Sequence, residues 1–239
     1  MYAFTVNQNG GEASFQKLSE FYASAEIQGT ISSQIDAMIA QQAGTEGDTP
    51  AAGNPSATLS RETMDGILSN VHYFGDSNAK ILLLEYSEFL CSFCKRHYSE
   101  QTLEQVVANH QGEVALIFKG YPIFGQNLGA QGLYCAGKLG GTESYYAYVA
   151  EGMKASEFTD DLVLGIAKTI GLKENDMKNC MNSTEAVEAV NADKAEGQNL
   201  FNINGTPGNV VLNRETGEYI IIGGAYPVSE FESAVTQLS

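Results

Sequence analysis

Basic residues are scarce in this chain. Lys and Arg number 13 against 29 Asp and Glu, a formal net charge of −16 at pH 7. Such a surface repels phosphate backbones and anionic lipid, so nucleic acid is not expected as a partner. Long apolar runs are missing too. The longest wholly aliphatic stretch is Ile81–Leu84, far short of the roughly 20 residues that span a membrane. No charged segment leading into an apolar one follows Met1, so the pattern of a secretory signal is not visible. There are only four cysteines, Cys91, Cys94, Cys135 and Cys180, and no second C-x-x-C. Cys91, Cys94 and His97 do spell C-x-x-C-x-x-H. A structural zinc site wants four ligands, however, so no metal is expected.

What the chain does have is one organising stretch, residues 81–97. It opens as the apolar run Ile81–Leu84, of strand length, passes through Cys91-Ser92-Phe93-Cys94 and continues as a helix pattern. A C-x-x-C pair where a strand feeds a helix is a redox signature. At the helix N-terminus, unpaired N–H groups and the helix dipole favour an anion, here the Cys91 thiolate. A partly buried terminus contributes up to about 2 kcal/mol; any larger effect needs N–H donors aimed at the sulfur. Cys94, one turn on, is placed to close a small disulfide ring with Cys91.

With 43% hydrophobic residues the composition is globular. Residues 12–42 read as one or two helices, with Phe15, Leu18, Tyr22, Ile31, Ile35, Met38 and Ile39 mostly at three- and four-residue spacing. Residues 43–59, rich in Gly, Ala, Thr and Pro, read as a linker. Residues 1–59 are thus expected to be an N-terminal helical extension and linker, and 60–239 the main domain. Ser60 offers a helix start, residues 71–74 a short extended piece, and Gly75–Asn78 a turn. A strand at about 80–87, a helix at about 92–109 and a strand at 114–119 make one βαβ unit. Residues 126–200 carry helix patterns only, at 130–138, 144–153, 160–170, 175–181 and 184–200. Strands then follow at 208–213 and 218–222, joined by Arg214-Glu215-Thr216-Gly217 as a hairpin, and a helix at 228–238 closes the chain.

Over about residues 71–239 the sequence resembles the DsbA-like thiol–disulfide oxidoreductases of the thioredoxin superfamily. The resemblance rests on Gly75-Asp76-Ser77-Asn78-Ala79-Lys80 leading into the central strand, the Cys91-Ser92-Phe93-Cys94 motif, Gly205-Thr206-Pro207-Gly208, and the closing turn Gly223-Gly224-Ala225-Tyr226-Pro227. The helical block lies where that family inserts its helical domain. The implied fold is α/β: a thioredoxin-like fold with an inserted helical domain, here preceded by the N-terminal helical extension.

The resemblance also implies roles. Cys91 is the expected nucleophile and Cys94 the resolving thiol, with Ser92 and Phe93 tuning the pair. The best-known family members carry Pro-His there, so a strongly oxidising poise does not carry over. Thr206–Pro207 is expected to be cis and to bring the Thr206 backbone against the sulfurs. Glu85, six residues before Cys91, matches the superfamily's buried acid, able to relay a proton to Cys94. Lys119 matches the lysine that can pair with that acid. Cys135 and Cys180 are expected to be joined. His72 and His110 show no partner pattern, and Tyr145, Tyr146 and Tyr148 read as helix packing.

The expected activity is introduction of disulfides into reduced or unfolded exported proteins, with no cofactor beyond the Cys91–Cys94 disulfide. Reoxidation is expected from a membrane quinone-linked partner of the DsbB or vitamin-K-epoxide-reductase type. The expected location is extracytoplasmic, periplasmic or in the cell envelope, the chain being a mature one that has shed a signal or anchor. A disulfide isomerase or reductase would use the same residues, and a chaperone-like binding module would carry the pair inert. Oligomeric state is left open.

Overall fold

The structure, a computed structural model, describes residues 57–125 and 127–239; the helices and most of the linker expected over 1–56 lie outside the described residues. The elements run β1 (Ala57–Thr58), α1 (Arg61–Ile67), β2 (Phe74–Gly75), β3 (Ile81–Ser87), α2 (Ser92–Ser99), α3 (Thr102–Asn109), β4 (Val114–Gly120), α4 (Leu128–Gly152), α5 (Asp160–Thr169), α6 (Glu174–Met181), α7 (Thr184–Phe201), β5 (Gly208–Asn213), β6 (Glu218–Gly223) and α8 (Val228–Leu238).

β3 is buried along its whole length, as its unbroken apolar run requires of a strand covered on both faces. It pairs parallel with β4 on one side and antiparallel with β5 on the other. The sheet order is β1-β6-β5-β3-β4-β2. Side chains alternate between faces, which separates two cores. Leu82, Leu84 and Tyr86 pack among Met64, Phe201 and Tyr219. Ile81 and Leu83 pack on the opposite face among Leu103, Val106 and Phe231, which come from α3 and α8. Where α7 crosses Tyr86, Gly197 is required: a Cβ there would meet Tyr121 at 2.7 Å and Tyr86 at 3.0 Å.

The helical block α4–α7 is inserted between β4 and β5, and its described residues contain no strand. Two of its helices, α5 and α7, start where side chains satisfy the first N–H groups. Thr159 accepts from Leu162 N at 3.2 Å and Ser183 from Ala186 N at 3.2 Å; Ser60 does the same for α1. Cys135 of α4 and Cys180 of α6 are joined by a disulfide.

Three boundaries differ from the sequence expectation. The single helix expected at 92–109 is two helices, broken at Gln101, which is left-handed (φ 54°, ψ 36°). Two turns on from the buried His97 an unbroken helix would present residue 104, yet the chain buries Leu103 and Val106. The break absorbs that slip in register. α4 runs through the gap expected at 139–143, with Gly141 (φ 69°, ψ −163°) out of helical geometry. The last residues of the expected linker, Ala57 and Thr58, pair with β6 as an edge strand.

Candidate active site

β3 ends at Ser87, and a short turn delivers Cys91 to the start of α2. Cys91 N bonds to Glu88 O at 3.1 Å, and Cys91 O accepts Lys95 N at 3.0 Å as the first helical bond. Cys91 itself is extended (φ −74°, ψ 124°) and caps the helix without a side-chain bond of the usual kind. The buried carboxylate of Glu88 braces the turn. It accepts Leu90 N at 3.2 Å and Ile123 N at 3.0 Å, tying the Cys91 loop to the loop after β4.

Both motif cysteines are free and buried: Cys91 is 6% exposed and Cys94 not at all. The peptide between Thr206 and Pro207 is cis, and the Cys91 thiol donates to the Thr206 carbonyl oxygen at 3.3 Å. The four residues Cys91, Cys94, Thr206 and Pro207, 113 positions apart from Cys94 to Pro207 (207 − 94), are thus assembled at one point.

The two sulfurs differ in kind. Burial pushes the Cys91 thiol up, but donors placed to meet its thiolate, from Thr206, from the Cys94 amide and thiol and from Phe93 N–H, outweigh it, so the thiol lies below its ordinary value. Burial pushes Cys94 up to about 12; Ser87 and Glu88 N–H oppose this, and the charge of Glu85 adds to it. The Thr206 hydroxyl is buried with no hydrogen-bond partner in this dithiol state. It lies where it can donate to either sulfur once a thiolate forms. Because the thiolate is the reactive form, iodoacetamide is expected to label Cys91 of the reduced protein at neutral pH faster than a free cysteine, with a midpoint below the ordinary thiol. Cys94 should stay unlabelled up to about pH 10. Mass-mapped labelling against pH measures both, and equal labelling of the two would contradict it.

Glu85 and Lys119 do not pair. In the β3–β4 register Glu85 lies opposite Phe118, and Lys119 opposite Tyr86. Adjacent residues point to opposite faces, so Glu85 and Lys119 are on opposite sides of the sheet. Lys119 reaches α7 instead, bonding Asp193 at 3.2 Å and Glu196 at 2.5 Å. Glu196 also accepts the Tyr86 hydroxyl at 2.5 Å. Burial lowers Lys119, but the two carboxylates outweigh it and raise the ammonium above its ordinary value. Removing one partner of a buried ion pair strands the other charges, at about 3–5 kcal/mol. Asp193 keeps about a third of its side chain in solvent, so Lys119→Met is expected to cost about 2–3 kcal/mol, read from urea unfolding.

Glu85 is buried at 4% exposure and has other partners. Ser87 Oγ donates to its Oε1 at 3.2 Å, and His97 Nδ1 lies 3.3 Å from the same oxygen. The spacing marks His97 only as the third member of C-x-x-C-x-x-H. The signal that finds its true place is helical: three residues after Cys94, it shares that residue's buried face. Ser87 and Glu88 carry no such mark. His72 bonds Thr142 at 3.2 Å and stacks on Tyr145, and His110 pairs with Glu232. Tyr145 and Tyr146 pack and also donate to the backbone of β4. Among the described residues, no group of three or more His, Cys, Asp or Glu is placed to hold a metal ion.

Around Cys91 the surface is apolar in places, with Phe93 57% and Phe124 59% exposed. A family model described as thioredoxin matches residues 68–219, well over half of the sequence. The chain belongs to the thioredoxin family. Solved structures similar to it include the thiol-disulfide exchange protein alpha-DsbA2 from Wolbachia pipientis, 20% identical, covering 75% of this chain and 94% of that one with a TM-score of 0.62. Pseudomonas aeruginosa DsbA2 is 20% identical over 70% and 93%, with a TM-score of 0.58. The catalytic domain of Proteus mirabilis ScsC is 19% identical over 75% and 99%, with a TM-score of 0.57. A search of curated proteins finds no match. The shared feature is the fold: a thioredoxin-like sheet with a helical insertion, as in the DsbA structures. No helix among the described residues is long and apolar enough to cross a membrane.

Proposed function

We propose that the protein is a DsbA-like dithiol oxidase that introduces disulfides into exported proteins through Cys91 and Cys94. The observation that carries this reading is geometric: the free Cys91–Cys94 pair at the start of α2 meets the cis Thr206–Pro207 peptide, with the Cys91 sulfur 3.3 Å from the Thr206 carbonyl oxygen, and the lowered Cys91 beside the raised Cys94 suits that arrangement. In the oxidised protein, a client thiolate attacks the Cys91 sulfur. The Cys91–Cys94 bond breaks, its electron pair goes to Cys94, and that sulfur takes a proton, for which Glu85 is the nearby relay. The client's second thiolate then attacks its own sulfur in the mixed disulfide. Cys91 leaves as a thiolate, and a leaving group of low pKa leaves fast. The client has lost two electrons and the protein has gained them.

An extended client segment fits beside the Thr206 backbone, pairing with it as a short strand, and the exposed Phe93 and Phe124 suit unfolded clients. Ser92 and Phe93 set the poise. Lys119 acts in this scheme by anchoring the helical block rather than by serving Glu85. No cofactor beyond the sulfur pair is needed. The reduced pair is returned by a membrane quinone-linked partner of the DsbB or vitamin-K-epoxide-reductase type, which places the protein outside the cytoplasm. Mixing the oxidised protein with a dithiol peptide is expected to give one peptide disulfide per protein, with Cys91 and Cys94 reduced. Reshuffling of scrambled ribonuclease should be slow beside it. Efficient reshuffling with weak oxidation would overturn the oxidase assignment in favour of an isomerase.

A further inference from the structure

We infer that His97 is a positioning residue that holds the proton Glu85 passes, by way of Ser87, to Cys94. The inference rests on the thiol–disulfide exchange proposed above and adds a residue to it.

The residues form a file on one face of β3. Glu85 and Ser87 are two apart, so their side chains share that face. Glu85 Oε1 takes both the Ser87 hydroxyl and His97 Nδ1. The Ser87 hydroxyl also lies within reach of the Cys94 sulfur, where it favours the charged form. Among the described residues His97 is the one basic side chain bonded to Glu85, since Lys119 is spent on the other face.

The surroundings isolate this file. His97 is 1% exposed, and the Phe231 ring of α8 lies 5.5 Å from its own. Phe118 of β4 and Asn209 of β5 flank Glu85 in the register. Glu104 of α3 is pushed up to about 8, by burial first and then by the charge of Glu85, and the Tyr146 hydroxyl of α4 feels both carboxyls. Cys94 of α2 completes the set of titratable groups facing Glu85. Two polar atoms here have no partner, His97 Nε2 and Asn209 Oδ1. An unpaired buried polar atom is uncommon in a native fold. In His97 one nitrogen is bonded to the acid and the other is unpaired among the described residues.

The step balances as follows. Client thiolate attack on Cys91 breaks the Cys91–Cys94 bond and leaves the electron pair on Cys94. Ser87 turns its hydroxyl from Glu85 to that sulfur and delivers its proton. Glu85 restores the Ser87 proton, imidazolium His97 restores that of Glu85, and His97 ends neutral. Reoxidation runs the same path backwards.

The test is the single-turnover rate of a dithiol peptide with the oxidised protein, expressed per client thiolate, from pH 5 to 8. The natural protein is expected to slow as pH rises. His97→Gln, which keeps a hydrogen-bond donor without a titrating ring, should be flat and about tenfold slower at pH 6. Ser87→Ala, which leaves the Glu85–His97 pair intact, should flatten the profile equally, so a poorly folding His97 variant does not block the test. Cys91 alkylation should match the natural protein in both. A His97→Gln protein with the natural profile and only a lower melting temperature would overturn the inference while leaving the exchange reaction intact. Absence of exchange in the natural protein would instead defeat the reading on which it rests.

Discussion

Replacing Cys94 with serine is expected to stop the exchange half-way. Cys94 has no exposed surface, so no client can reach it directly. Its role is internal: it attacks Cys91 to free a stalled client, and it takes the electron pair when the internal disulfide opens. Without it, Cys91 still has the amide donors that favour its thiolate and can still attack a client disulfide, but nothing behind it resolves the product. Incubated with a disulfide-bonded peptide, Cys94→Ser should accumulate a covalent complex at close to one peptide per protein, released by dithiothreitol. Catalytic turnover should fall to the uncatalysed background. Cys91→Ser should lose turnover to the same extent and form no complex, because a thiolate and not a hydroxyl is the nucleophile toward sulfur. Non-reducing electrophoresis with peptide mapping distinguishes the two. Equal trapping by both variants would mean that the sulfurs are interchangeable, and the asymmetry argued from their surroundings would be wrong.

Removing the Cys135–Cys180 disulfide is expected to have the largest effect on stability. The bond spans 45 residues. In the chain-entropy model, closing a loop of that length stabilises the folded protein by about 4 kcal/mol. For a protein of 150–250 residues, each kcal/mol moves the melting temperature by roughly 2–4 °C. A Cys135→Ala/Cys180→Ala protein is therefore expected to melt about 8–16 °C lower. Both sites are buried, Cys135 fully and Cys180 nearly so, so small cavities add to the loss rather than offset it. Labelling of Cys91 should be unaffected at temperatures where the variant is folded. A melting temperature within about 2 °C of the natural protein would show that the bond adds little beyond the packing of α4 on α6.

The central strand and the sulfur pair are legible in the sequence because they rest on local patterns: an apolar run covered on both faces, a two-residue spacing, and a helix start. The helical block is legible for the same reason, through the helix patterns at 130–138, 160–170 and 184–200. What is not legible depends on register. Glu85 and Lys119 lie on neighbouring strands, and shifting a pairing by one residue exchanges faces; only the observed register shows that they point apart. The left-handed Gln101 is hidden because nothing in its side chain demands that conformation; the need comes from fitting both Cys94 and Leu103 beneath one sheet. His97 is hidden by its own ambiguity, since beside two cysteines it looks first like a ligand. Ser87 and Glu88 have no sequence signal, because their roles come from the turn that β3 makes into α2.

The Lys119 cluster bears on how the whole domain moves. A cation, two carboxylates and the Tyr86 hydroxyl are knotted together where α7 meets the sheet. Sliding the helices across the strands would strip an ammonium of both counterions at once, in a place water reaches poorly. The cluster therefore opposes sliding of α7 against β3 and β4. In the proposed exchange, accommodation of a client would then fall to the client's own chain and to exposed side chains such as Phe93 and Phe124.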